Sequence, residues 1–154
     1  SSDGRFIYFS TAEPEAVWKV PAAGGAAVRL TEPGGRLAPM ASRDPARVFF
    51  HKRHDRIEMW SVSTDGGDER PVAGAPSEGW SWTVAPHGMY YMTGMRRHFS
   101  LMYFDFATQQ PVKVADLPSL FLVGGLDLSN DGRTILFHGI DHSEGDIMLV
   151  EGWK

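Results

Sequence analysis

A polar turn followed by an aromatic or β-branched run occurs four times along the chain, and the interval between copies is nearly constant. The copies are SSDGRFIYF (Ser1 to Phe9), ASRDPARVFF (Ala41 to Phe50), VAPHGMYYM (Val84 to Met92) and LSNDGRTILF (Leu128 to Phe137). Their last apolar residues, Phe9, Phe50, Met92 and Phe137, stand 41, 42 and 45 positions apart. A second element keeps step with the first: AVWKVPAAGG from Ala16, EMWSVSTDGG from Glu58, LMYFDFATQQ from Leu101 and IMLVEGWK from Ile147. Its anchors Trp18, Trp60, Met102 and Met148 are spaced 42, 42 and 46. A fixed period of this size means that one supersecondary unit is used several times and that neighbouring units bury one another's apolar faces.

Each unit reads as strands joined by turns. The segments AAGG and TDGG supply the positive φ of a tight hairpin, whereas ATQQ breaks the pattern, so its turn falls on Thr108 or Gln109 with a small strain. A short strand follows each turn (AAVRLT from Ala26, ERPVA from Glu69, PVKVA from Pro111). Another precedes the next copy (RLAPMA from Arg36, WSWTVA from Trp80, LFLVGGLDL from Leu120). With strands A to D counted from the inside outward, the chain runs B-C-D, A-B-C-D, A-B-C-D, A-B-C, which is 14 strands. Pro or Gly interrupts every window of helical periodicity, and the 17 Gly and 10 Pro in 154 residues fit many short strands.

Four-stranded antiparallel units of 40 to 45 residues are the blades of a β-propeller. The expected fold is all-β, with about four blades near residues 1–32, 33–73, 74–115 and 116–154, the first and last incomplete. An arc of a larger propeller is expected, because a chain running from strand B to strand C has no spare strand D to close its last blade. Trp18, Trp60, Phe9, Phe50 and Phe137 then read as filling between blades and not as a ligand box.

The repeat wording D-G-R-aromatic-I-Y-F, then V-W-K-V-P-A-x-G-G, then R-L-T, resembles the TolB-like propeller repeats of bacterial proteins over essentially the whole chain. It is strongest at Ser1 to Thr31, good at Ser129 to Val150 and degraded at Ala85 to Gly88. The ending SNDGRTILFHGIDHSEGDIMLVEGWK is similar to the last blade of propellers that close long bacterial regulators. Asp146, Ile147, Met148, Leu149, Val150 and Glu151 match that tail, while Gly152 and Trp153 depart from it. The resemblance implies a sensory arm of a winged-helix DNA-binding or kinase regulator, with upstream domains of the parent chain completing the propeller. It favours a periplasmic or extracytoplasmic setting. The alternatives it leaves open are the propeller of a prolyl oligopeptidase-type serine peptidase and a TolB-like envelope accessory protein.

Composition narrows the chemistry. A formal net charge of -4 gives no global basic field for nucleic acid, and zero cysteines remove disulfides, thiolate nucleophiles and Cys-type zinc sites. The longest mostly apolar stretch, Leu117 to Leu128, contains Pro, Gly and Asp and is shorter than the ~20 residues of a spanning helix. No G-x-S-x-G nucleophile elbow occurs, GWSW at Gly79 being the nearest string, so no catalytic residue is assigned and no enzymatic activity is expected. No cofactor is implied.

Histidines and bases gather in the loops between strands B and C: His51, Lys52, Arg53 and His54 in the second unit, Arg96, Arg97 and His98 in the third, His138 and His142 in the fourth. Equivalent loops share one rim of a propeller. The rim can bind a protein partner or small ligand through guanidinium forks, or can be ordinary solvated loop. A metal centre with Asp55, Asp141, Glu144 and Asp146 demands convergence at ~2 Å bond lengths, and none is assigned. Asp3, Asp44 and Asp131 precede strand B in matching positions and read as turn-closing side chains. Neither DGGDE nor SNDGR supplies the alternating oxygens of a calcium loop.

Overall fold

The computed structural model describes residues 1–33, 40–41, 46–53, 57–76, 81–95, 98–117, 121–129 and 131–140. Among them there are strands and no helix. The first sheet holds β1 (Phe6–Ala12), β2 (Glu15–Pro21) and β3 (Val28–Arg29) in sequential order. The second holds β4 (Met40–Ala41), β5 (Arg47–Arg53), β6 (Ile57–Ser63) and β7 (Arg70–Pro71). The third holds β8 (Trp82–Ala85), β9 (Gly88–Met95), β10 (His98–Asp105) and β11 (Gln110–Asp116). The last pairs β12 (Phe121–Leu128) with β13 (Ile135–Ile140). Every pairing is antiparallel between sequence neighbours, as hairpin turns require. The expected strand C at Ile147 lies outside the described residues.

Registers repeat as well as strand orders. Phe9 faces Trp18 in the first sheet and Phe50 faces Trp60 in the second; in the third Met102 faces Tyr91, one residue before the expected landmark Met92, which pairs with Leu101 and points to the other face. The turns are built as their residues demand. Gly24, Gly25, Gly66 and Gly67 all take positive φ, and Gln109 sits at φ 57 in the hairpin that lacks glycine. Asp3 accepts from the Ser1 hydroxyl and the Arg5 amide. Asp131 does the same with Ser129 and Arg133, which is the turn closure expected of both. Asp44 lies outside the described residues.

Successive side chains of a strand point to opposite faces, so each sheet offers one row of residues to each neighbour. Val48, Phe50 and Val62 pack toward the first sheet, against Val17 and the half-buried Tyr8. Phe49 and Met59 point the other way, into Trp82, Val84, Met89, Tyr91 and Phe104 of the third sheet. On the far face of that sheet Met92 and Leu101 meet Leu126 and the half-buried Phe137. The core is thus three apolar layers between four sheets, with β8 in contact with both β4 and β12 along the inner edge.

Two expected filling residues stand outside these layers. Phe9 and Trp18 occupy the register of Phe50 and Trp60, yet they belong to the outward face of the first sheet and are only half-buried. Trp18 donates its indole N–H to the Thr11 hydroxyl. Ile7 on the same face is 54% exposed.

Candidate functional site

Two residues expected in a loop of the basic rim, His51 and Lys52, lie elsewhere. His51 and Lys52 fall inside β5 and not in a loop, since the strand continues to Arg53 and pairs through to Ile57. Adjacent strand residues diverge. His51 is buried toward the third sheet with its ring 5.3 Å from Trp82, and that burial lowers its pKa. Lys52 turns to the opposite face, where its ammonium lies 4.7 Å over the Trp60 ring and pairs with the Glu69 carboxylate. Glu69 also accepts from the Glu32 amide at 3.3 Å, which ties the first sheet's exit to the second sheet.

His98 opens β10 and His138 lies in β13, both exposed. Arg53 is placed by its backbone in β5; His54, Arg96, Arg97 and His142 lie outside the described residues. Among the described residues no three His, Asp or Glu side chains stand close enough to hold a metal ion. Nor is any helix among them long and apolar enough to cross a membrane.

The opposite end of the sheets carries a cavity of about 320 Å³ between the second and third sheets. The sequence reading missed it. Arg47 begins β5 and its alternation puts it on the face of Phe49. Its guanidinium is fixed from several sides: Nε donates to the Ser61 hydroxyl at 3.0 Å, Nη1 to the Asp68 carboxylate at 2.5 Å, and Nη2 to the carbonyls of Ser61 and Asp68 at 3.1 and 2.7 Å. Arg47 in turn holds the exposed Asp68 carboxyl below its usual range, with the charge of Arg70 contributing. The floor and walls are apolar: Phe49 and Phe106 lie stacked with centroids 5.1 Å apart, Phe104 meets Phe106 edge-on, and Pro71, Val72 and Pro86 close the sides.

A signal for this cavity was present in the repeat. Ser61 follows Trp60 as Lys19 follows Trp18, so the two occupy one register position. Lys19 reaches across the first groove to donate to the Thr64 carbonyl and stands 3.6 Å from Asp65. Serine at the same place in the next groove is too short to cross, and the space stays open.

No family model matches the chain, and no curated protein does. Solved structures do. A TolB protein from Agrobacterium tumefaciens superposes with a TM-score of 0.66 at 16% identity, covering 92% of this chain and 57% of that one. The fold is that of a β-propeller. TolB from Acinetobacter baumannii matches with a TM-score of 0.67 at 15% identity over 92% of this chain and 37% of its own. A chain of a nidogen/laminin complex matches with a TM-score of 0.62 at 11% identity over 88% of this chain and 54% of its own. The chain therefore spans between about a third and three fifths of these propeller proteins, and the layers between its sheets are inter-blade layers.

Proposed function

We propose that the chain is a non-catalytic binding module: a run of propeller blades that recognises a protein or small ligand as part of a larger propeller. The carrying observation is the unequal treatment of one repeated position. Phe50 is 0% exposed beneath the first blade, whereas Phe9, Ile7 and Trp18 on the first blade's own outward face have no blade over them among the described residues. A face with that composition is built to be covered by a further blade. The share of the TolB chains left unmatched is consistent with further blades in the parent protein. Rigid blades carrying variable loops are a scaffold for recognition, and one solved relative is a nidogen/laminin complex.

Within this reading the chain is the sensory part of a bacterial regulator of the winged-helix or kinase kind, on the strength of the tail resemblance at Asp146 to Glu151. Two experiments test it. Size-exclusion chromatography with light scattering on the 154-residue chain is expected to show concentration-dependent self-association that Ile7→Glu suppresses; a compact monomer at every concentration would refute the open face. The coding sequence upstream is expected to hold a winged-helix or kinase domain, and a hydrolase domain with a nucleophile elbow downstream would overturn the regulator assignment.

A further inference from the structure

We infer that the cavity between the second and third blades binds a small carboxylate whose other end is apolar or aromatic. It lies at the opposite end of the strands from the histidine-bearing loops, so it is separate from the rim considered above, and it does not depend on the regulator reading.

Its size and lining suit such a ligand. About 320 Å³ is at the lower end of small-molecule sites, and these combine apolar walls with a few placed polar groups. The stacked rings of Phe49 and Phe106 and the edge of Phe104 form one side; Pro71 and Pro86 form rigid shoulders. An aromatic or branched aliphatic group meets surfaces of its own kind there.

The charge at the mouth selects the other end. Two guanidinium groups, Arg47 and Arg70, face one carboxylate, Asp68, leaving a net positive charge. Arg47 spends four N–H groups on Ser61 and Asp68, so it is a fixed part of the wall, with one Nη1 hydrogen uncommitted among the described residues. Arg70 is exposed and touches Asp68 only at 3.9 Å, which leaves its fork available for bidentate contact with a carboxylate. Anchoring of Arg47 also holds Asp68 in place, so the negative group does not swing over Arg70.

The lining of this groove differs from that of the groove between the first two blades. In the groove between the first two blades the equivalent of Ser61 is Lys19 and the equivalent of Phe106 is Thr64, and the lysine bridges directly to the Thr64 carbonyl. Replacing that lysine and threonine by serine and phenylalanine opens the groove and lines it with an aromatic ring.

The test is an NMR titration of the full 154-residue chain with N-acetylphenylalanine. An uncharged arm uses N-acetylphenylalaninamide, and a third arm uses a tetrapeptide ending in phenylalanine with a free carboxyl group. Saturable shifts confined to the signals of Phe49, Phe104, Phe106 and Arg70 are expected. The amide, and the Arg70→Gln variant toward the acid, should each bind about three- to tenfold more weakly. Tighter binding of the tetrapeptide would identify a peptide C-terminus as the source of the carboxylate, and equal binding a free small molecule. Ala73→Phe, which adds a ring at the exposed wall, should abolish the shifts while the melting temperature shows that the variant is folded. Absence of saturation, equal affinity for acid and amide, or binding retained by Ala73→Phe would each overturn the inference.

Discussion

The rings of Phe49 and Phe106 lie parallel, 5° apart in plane and 5.1 Å between centroids, although one belongs to a strand of the second blade and the other to the hairpin turn of the third. The contact joins two sheets that share no backbone hydrogen-bond ladder among the described residues, so side-chain packing carries the register between them. Phe49 is buried within the layer while Phe106 is half-buried at its edge. Phe49→Ala is therefore expected to cost roughly 3 kcal/mol and Phe106→Ala about half of that, read from urea denaturation midpoints. Equal costs would mean that the turn, and not the layer, secures the interface.

A sharper comparison uses one repeat position twice. Phe50 is fully buried and Phe9 is half-buried at the matching register. Phe50→Ala should destabilise the chain by about 3 to 5 kcal/mol, and Phe9→Ala by less than about 1.5 kcal/mol, since a side chain that keeps solvent contact loses less transfer free energy and leaves no closed cavity. Matching losses at the two sites would show that the first blade's outward face is covered in solution.

That difference also marks what could be read from the sequence. The period, the turn chemistry and the strand order were legible because each rests on local constraints: glycine or Gln109 at positive φ, Asp3 and Asp131 closing a turn, and aromatic runs at a fixed interval. Which residues are covered was not legible for Phe9 and Trp18, because repeat equivalence fixes register within a sheet and says nothing about whether a neighbour exists. His51 and Lys52 were misplaced for a related reason. Polar residues at a strand end look like loop, yet the ladder to Ile57 extends through them and alternation sends them to opposite faces. The cavity beside Arg47 was encoded in the exchange of Lys19 for Ser61, a difference between repeats that a search for similarity passes over.

Gly94 sits at φ +137 in the hairpin between β9 and β10, and a Cβ placed there would lie 2.1 Å from the His98 carbonyl oxygen. Both the backbone conformation and the space exclude a side chain, so relief at one does not cure the other. Gly94→Ala is expected to destabilise by at least about 2 kcal/mol and to broaden the amide signals of Phe99, its cross-strand partner, and of Thr93, its chain neighbour. An unchanged melting temperature would show that the hairpin can reshape without cost to the sheet.

Lys52 and Glu69 form an ion pair whose side chains retain only 11% and 16% of their exposure, against the face of Trp60. Removing one partner leaves the other poorly solvated. Glu69→Gln is expected to cost about 1 to 3 kcal/mol, below the fully buried limit because both ends keep some water. Lys52→Met should cost less, its chain still covering Trp60. A double-mutant cycle should return a coupling near 1 kcal/mol or more, and a coupling of zero would mean that Trp60 packing alone holds the groove.

His51 gives the chain a pH response with a defined sign. Burial against Trp82 pushes its pKa below the ordinary value near 6.5, so the folded state holds the imidazole neutral where the unfolded chain begins to protonate it. Above that ordinary value both states are neutral and His51 makes no pH-dependent contribution. As pH falls below it, the unfolded state binds the extra proton and stability declines until the folded-state pKa is passed. The carboxyls of Asp3, Asp68, Asp105 and Asp116 are also lowered, by hydrogen bonds and neighbouring cations, but they lose their contribution in a separate and more acidic window around and below their ordinary values. Melting temperatures measured from pH 7.5 to 5 should therefore fall for the native chain, and His51→Gln should flatten that limb while leaving the decline below pH 4 in place. Parallel curves for the two proteins between pH 7.5 and 5 would show that His51 titrates like a solvated histidine and is not sealed between the blades.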